Sequence, residues 1–107
     1  MRYLMTTRPS DTAPDEHLYA EMSRFIEELS AAGVLLATGG LELGGVLVAS
    51  VGDEITVTDG PFAEAKEAVA GFALIEVRSR EEAVELARRF RRIVGDGESV
   101  VQQVFGP

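Results

Sequence analysis

Apolar residues recur along this chain with two different periods. Residues 2–7 (RYLMTT) are a short run of strand formers, closed by the turn formers Arg8, Pro9, Ser10 and Asp11. Leu18, Met22, Phe25, Ile26 and Leu29 then fall at i, i+4, i+7, i+8 and i+11. That spacing predicts a helix with one apolar side and with Glu21, Arg24, Glu27 and Glu28 turned away. Thr12 or Asp11 is expected to cap its start, and Gly33 to end it in a left-handed conformation. Residues 34–38 read as a mostly buried strand, and residues 39–45 (GGLELGG) as a loop. Two further strand-forming runs, residues 46–51 and 55–58, flank Gly52-Asp53-Glu54 and most simply make a hairpin.

Asp59-Gly60-Pro61-Phe62 follows, then a helix-compatible stretch at residues 63–69. Residues 71–77 (GFALIEV) give the strongest strand signal, with Phe72 and Leu74 apolar on one side and Ala73, Ile75 and Val77 on the other. Ser79-Arg80-Glu81-Glu82 is a capping box for a second helix, along which Ala83, Ala87, Phe90, Ile93 and Val94 share a face and which Gly95 terminates. Residues 100–105 (VVQQVF) supply a closing strand. The order predicts an α+β fold on the ferredoxin-like βαββαβ plan, with an inserted hairpin and short helix. Both helices belong on one face of the sheet. An apolar second face then predicts a homodimer in which two sheets meet.

The 107 residues leave room for one core, so the whole chain, residues 1–107, reads as a single domain. A formal charge of −8 repels phosphate backbones and anionic lipid headgroups, which argues against nucleic acid and membrane surfaces as partners. Without cysteine there is no disulfide, thiolate nucleophile or Cys-based metal site. The amino-terminal apolar run is too short for a signal h-region, and no other run approaches ~18 apolar residues, so a cytoplasmic location is expected. The glycine-rich loop lacks the lysine of a phosphate-binding loop and the spacing of a dinucleotide site.

The run Thr58-Asp59-Gly60-Pro61-Phe62-Ala63-Glu64-Ala65-Lys66-Glu67, with Gly71-Phe72 close behind, resembles the signature of the YCII-related DGPF family. The likeness extends to the amino-terminal Met-Arg-Tyr strand, to the helix end at residues 28–35 and to the capped helix at residues 79–92, and so spans nearly the whole chain. The resemblance implies a dimeric α+β barrel, related in plan to muconolactone-isomerase-like and antibiotic-monooxygenase-like proteins, with clefts enclosed by two sheets. It implies little chemistry. An enzymatic role has been proposed for some branches, and members are associated with sigma factors as neighbours or fused partners. Some members carry a histidine–aspartate pair proposed as catalytic, whereas this chain has a single histidine, His17, in its first helix.

Asp59 has two readings. It holds a turn by accepting backbone N–H groups while Pro61 starts a short helix, or it faces a cleft as a proton acceptor or ligand hydrogen-bond acceptor. Gly60, Pro61 and Phe62 are the ligand-binding candidates beside it, with Lys66 placed to hold an anionic group; the plain alternatives are a solvated Lys66 and core positions for Phe62 and Phe72. His17 is a second catalytic candidate, against the simpler reading of an exposed pair with Glu21. Arg88, Arg89, Arg91 and Arg92 suit a helix carboxyl end and pairing with Glu85, or else a docking patch for an acidic partner or an anionic ligand. No cofactor and no metal are expected. The function implied is binding of a small molecule near the Asp59 turn, with proton transfer as the chemistry available to a carboxylate. The alternative is a regulatory module that docks on a sigma-factor-type protein through its acidic surface.

Overall fold

The computed structural model describes residues 1–9, 14–60 and 69–106. The first strand, β1 (Arg2–Thr7), is followed by α1 (Glu16–Ala31), β2 (Leu35–Gly40), β3 (Val46–Val51), β4 (Glu54–Asp59), β5 (Gly71–Glu76), α2 (Arg80–Val94) and β6 (Ser99–Val104). Four strands form an antiparallel sheet in the order β2-β5-β1-β6, and β3 and β4 pair separately. That order, with both helices on one face, is the ferredoxin-like plan. The expected short helix at residues 63–69 lies, apart from Val69, outside the described residues.

Side chains alternate across a strand, so the ladder fixes which residues meet the helices. Tyr3 is opposite Ile75 and Met5 is opposite both Ala73 and Val101. These residues face α1 and α2, which contribute Phe25, Leu29, Ala83, Leu86 and Ala87 to the core. Leu4, Thr6, Phe72, Leu74, Val100 and Val104 alternate to the other face, which no helix among the described residues covers. The predicted two-sided apolar strand is therefore present, and its outer side remains half-exposed.

Two boundaries and one core position differ from expectation for local reasons. The carboxylate of Asp15, not Thr12 or Asp11, caps α1, accepting from Leu18 N–H at 2.8 Å. β2 runs on through Gly39 and Gly40 instead of stopping at Thr38, because both stay in the ladder with β5, opposite Phe72 and Gly71. Leu86, missing from the predicted helix face, is buried. β2, expected to be mostly buried, is an edge strand and is exposed from residue 36 to residue 40, whereas two helix-end signals match. Glu82 N–H donates to Ser79 Oγ at 3.1 Å at the start of α2, while Gly33, at φ 74°, follows α1 as Val34 N–H bonds back to Leu29 C=O at 2.9 Å. The box is not fully reciprocal, since the Glu82 carboxylate takes the N–H of Arg78.

Ile75 is 0% exposed at the centre of the core. Ile75→Ala is expected to lower stability by about 2–5 kcal/mol in a urea titration, through lost transfer energy and a residual cavity. Ser79→Ala removes only the cap, and the same titration is expected to show a loss of about 0.5–2 kcal/mol.

Candidate functional site

At the end of the sheet where β1 finishes and β5 and β6 begin, the helix layer leaves a small cleft. Met5, Thr7, Gly39, Gly71, Phe72, Ala73 and Phe90 line it, around a volume of about 110 Å³. Its walls are largely apolar because Met5 and Ala73 continue the core face of the sheet and Phe90 closes over them from α2. Thr7 supplies a hydroxyl. An apolar cavity of about 150 Å³ accepts a benzene ring, so this volume suits nothing much larger than a single small ring without some opening of the walls.

Behind Thr7 lies a guanidinium. Arg91 Nη1 donates to Thr7 Oγ1 at 3.0 Å and to Ser99 Oγ at 3.2 Å, and Nη2 donates to Gly95 C=O at 2.9 Å. Nε of Arg91 is buried without a hydrogen-bond partner, and the ring of Phe90 stands 5.4 Å from the guanidinium carbon. Among the described residues no carboxylate pairs with this side chain. Its three sister arginines behave differently: Arg88 and Arg92 approach Glu85 at 3.8 and 3.6 Å, and Arg89 crosses to Glu28 at 2.8 Å while lying over Phe25. Exposed pairs of this kind contribute about 0–1 kcal/mol each. The four-arginine cluster thus divides into three surface residues and one that reaches under the sheet end.

Asp59 is the last residue of β4 and is exposed. Beside it Gly60 N–H donates to Gly45 C=O at 2.7 Å, which closes the base of the β3–β4 hairpin. Pro61, Phe62 and Lys66 lie outside the described residues. The chain returns at Val69 and Ala70, and Ala70 is fixed on both sides: its N–H donates to Thr7 C=O and its C=O accepts from Leu41 N–H, both at 2.8 Å. The insertion that carries Asp59 therefore leaves and rejoins the sheet next to the cleft residues Gly39, Gly71 and Thr7.

His17 sits on the first turn of α1 with its side chain 78% exposed and its Nε2 against Glu21 Oε1. It borders an open groove between the start of α1 and the end of α2, shared with Asp15, Arg92 and Ile93. No hydrogen bond or ion pair joins His17 to Asp59 among the described residues. Thr7, Met5 and Ala73 were not singled out from sequence as site residues. Nothing in their local pattern separates them from ordinary strand positions, and only the convergence of strand ends marks them. Among the described residues no group of three or more His, Asp or Glu side chains is placed to hold a metal ion, and no helix is long and apolar enough to cross a membrane.

No curated protein sequence matches the chain significantly. Among solved structures, the fold is similar to that of 5-chloro-2-hydroxyhydroquinone dehydrochlorinase (TftG) from Burkholderia phenoliruptrix AC1100, determined in complex with 2,5-dihydroxybenzoquinone. The TM-score is 0.57 at 15% sequence identity, covering 100% of this chain and 96% of the other. At that identity the likeness bears on the architecture alone, and it agrees with the α+β fold described above. The family model of the YCII-related domain matches residues 1–103, and the chain belongs to the YCII-related domain family.

Proposed function

We propose that the protein binds a small, largely apolar molecule, of about one ring, in the cleft between the sheet end and Phe90. The observation that carries this reading is the cleft itself: an apolar pocket with one hydroxyl, Thr7, on its floor, held by a guanidinium that has no carboxylate partner among the described residues. Apolar walls with a few placed polar groups are the usual composition of a ligand site. The complex of the similarly folded dehydrochlorinase with 2,5-dihydroxybenzoquinone is consistent with a ligand of this size, although it says nothing of this chain's own ligand.

Asp59 is the group best suited to chemistry on such a molecule. It is an exposed carboxylate at the base of the insertion that rejoins the sheet at the cleft, and no hydrogen bond among the described residues engages it. In this reading Asp59 takes a proton from the bound molecule, Gly60, Pro61 and Phe62 shape the approach, and Lys66 holds an anionic substituent. His17, paired with Glu21 on an exposed helix turn, ranks behind Asp59. The working unit is a homodimer with the uncovered faces of two sheets opposed through Leu4, Phe72, Leu74, Val100 and Val104. Docking on a sigma-factor-type partner is carried by net charge and family association alone, and ranks second.

Titration with 2,5-dihydroxybenzoquinone as probe, followed by amide NMR shifts, is expected to perturb Thr7, Gly71 and Ala73 together. Ala73→Leu, which fills the cleft, is expected to weaken that binding at least ~10-fold with the fold retained. Shifts scattered over the helix surfaces, or undiminished binding by Ala73→Leu, would count against the cleft. For the dimer, light scattering is expected to give twice the chain mass for the native protein and a markedly weakened dimer for Leu74→Asp. A native protein that stays monomeric at micromolar concentration removes the two-sheet assembly.

A further inference from the structure

The β3–β4 hairpin is the part of the molecule that the fold and the cleft leave unexplained. Its two strands pair with each other from Val46–Asp59 to Val51–Glu54 and, among the described residues, with no third strand. Alternation places Val46, Val48, Ser50, Ile55, Val57 and Asp59 on one side. On that side Val46 is 58% exposed, Val48 63%, Ile55 69% and Val57 68%. Four large β-formers in a row, facing water, are the pattern of a buried sheet surface. An isolated two-stranded ribbon is at best marginally stable in water, so a hairpin of this composition needs something to lie against.

The dimensions indicate how much surface is uncovered. The chain exposes 7759 Å², whereas a folded monomer of its 11.5 kDa mass exposes about 5,800 Å². Its radius of gyration is 16.0 Å, against about 13 Å for a compact chain of this length. The excess is about 2,000 Å² per copy, which in a pair amounts to the buried area of an obligate homodimer. The open face of the four-stranded sheet accounts for part of it, and the exposed apolar side of the hairpin adds to that.

We propose that the β3–β4 hairpin is a dimerisation arm, whose Val46, Val48, Ile55 and Val57 side is covered by a second copy of this chain. This rests on the two-sheet dimer proposed above and extends it. Two uncovered apolar surfaces on one molecule, the sheet face and the arm, are both closed by a single two-fold axis, because each copy receives what it gives. The composition of the arm agrees with that occupant. Its apolar side carries one charged residue, Asp59, and that residue lies at the root and not at the centre, as expected where an interface core excludes charge. The Gly45–Gly60 and Leu41–Ala70 hydrogen bonds clamp the root, so a docked arm fixes the position of Asp59 relative to the sheet end.

The chain has no cysteine, so a single introduced thiol carries a spin label without background. In the native dimer a label at Val57→Cys, on the apolar side, is expected to be immobilised. A label at Thr56→Cys, on the opposite side, is expected to remain mobile. The double substitution Val48→Asp/Val57→Asp, on residues outside the core, is expected to raise the dimer dissociation constant ~100-fold or more in sedimentation analysis, with an unchanged circular dichroism spectrum. A double variant that dimerises as tightly as the native chain, with both labels mobile, overturns the arm and leaves the sheet-faced dimer standing. A native chain that sediments as a monomer overturns both.

Discussion

Everything in this molecule is referred to β1, because β1 is hydrogen-bonded along both edges, to β5 on one side and β6 on the other. A strand paired twice has no freedom of register: a slip of one residue would carry Tyr3 and Met5 from the core to the open face and bring Leu4 and Thr6 inward. The pairing draws the amino terminus into the same ladder, where the Met1 amine donates to Val77 C=O at 2.8 Å and stands 3.1 Å from the Glu76 carboxylate. With β1 fixed, the parity of β5 and β6 follows, and so does the face on which the helices must lie. The other face is left apolar by the same parity.

Arg91 is the polar counterpart of that ladder. A guanidinium drawn out of water is costly unless its N–H groups are bonded, and here Nη1 and Nη2 make three bonds while Nε makes none. Hydrogen bonds to a charged group are stronger than neutral ones, and the two part-buried bonds to Thr7 and Ser99 set against the orphaned Nε donor hold the side chain inward. The Gly95 carbonyl, beyond the last turn of α2, also gains from a cation at the negative end of the helix dipole. Gly97 makes room for this: a Cβ there would run into Nη2 of Arg91. The result ties the end of α2 to the ends of β1 and β6, and orients Thr7 at the cleft.

The plan of the fold was legible because its signals are local and agree with one another. Residues 2–7 are bounded by Pro9, α2 by Ser79 and Gly95, and the hairpin by Gly52. What failed did so where local chemistry is degenerate. Asp11, Thr12 and Asp15 are equally good caps on paper, and the choice among them depends on where the chain enters α1. Gly39 and Gly40 look like loop, yet a glycine suits a strand where the ring of a neighbour, here Phe72, takes the place of its side chain. The DGPF run was legible as a family mark without disclosing a site. The cleft was not legible, because Met5, Thr7, Ala73 and Phe90 come from three elements and meet only through register and helix packing. The inward turn of Arg91 was hidden for a similar reason, since its three neighbours of the same type face water and mask it.

The placement of the insertion links these parts. Residues 41–70 leave the sheet after Gly40 and return before Gly71, and the Leu41–Ala70 and Ala70–Thr7 hydrogen bonds pin both ends to the strand end that carries Thr7. The same few residues therefore terminate the sheet, floor the cleft and anchor the hairpin. A sheet bearing such an excursion divides the labour: the ladder and the Arg91 clamp fix the floor of the cleft, while Asp59 stands at the root of the hairpin, outside that sheet. A carboxylate presented in that way is held by the root of a two-stranded ribbon and not by the core. Its positional precision depends on whatever lies against the ribbon, so the exposed valines of the hairpin and the placement of Asp59 belong to one physical problem.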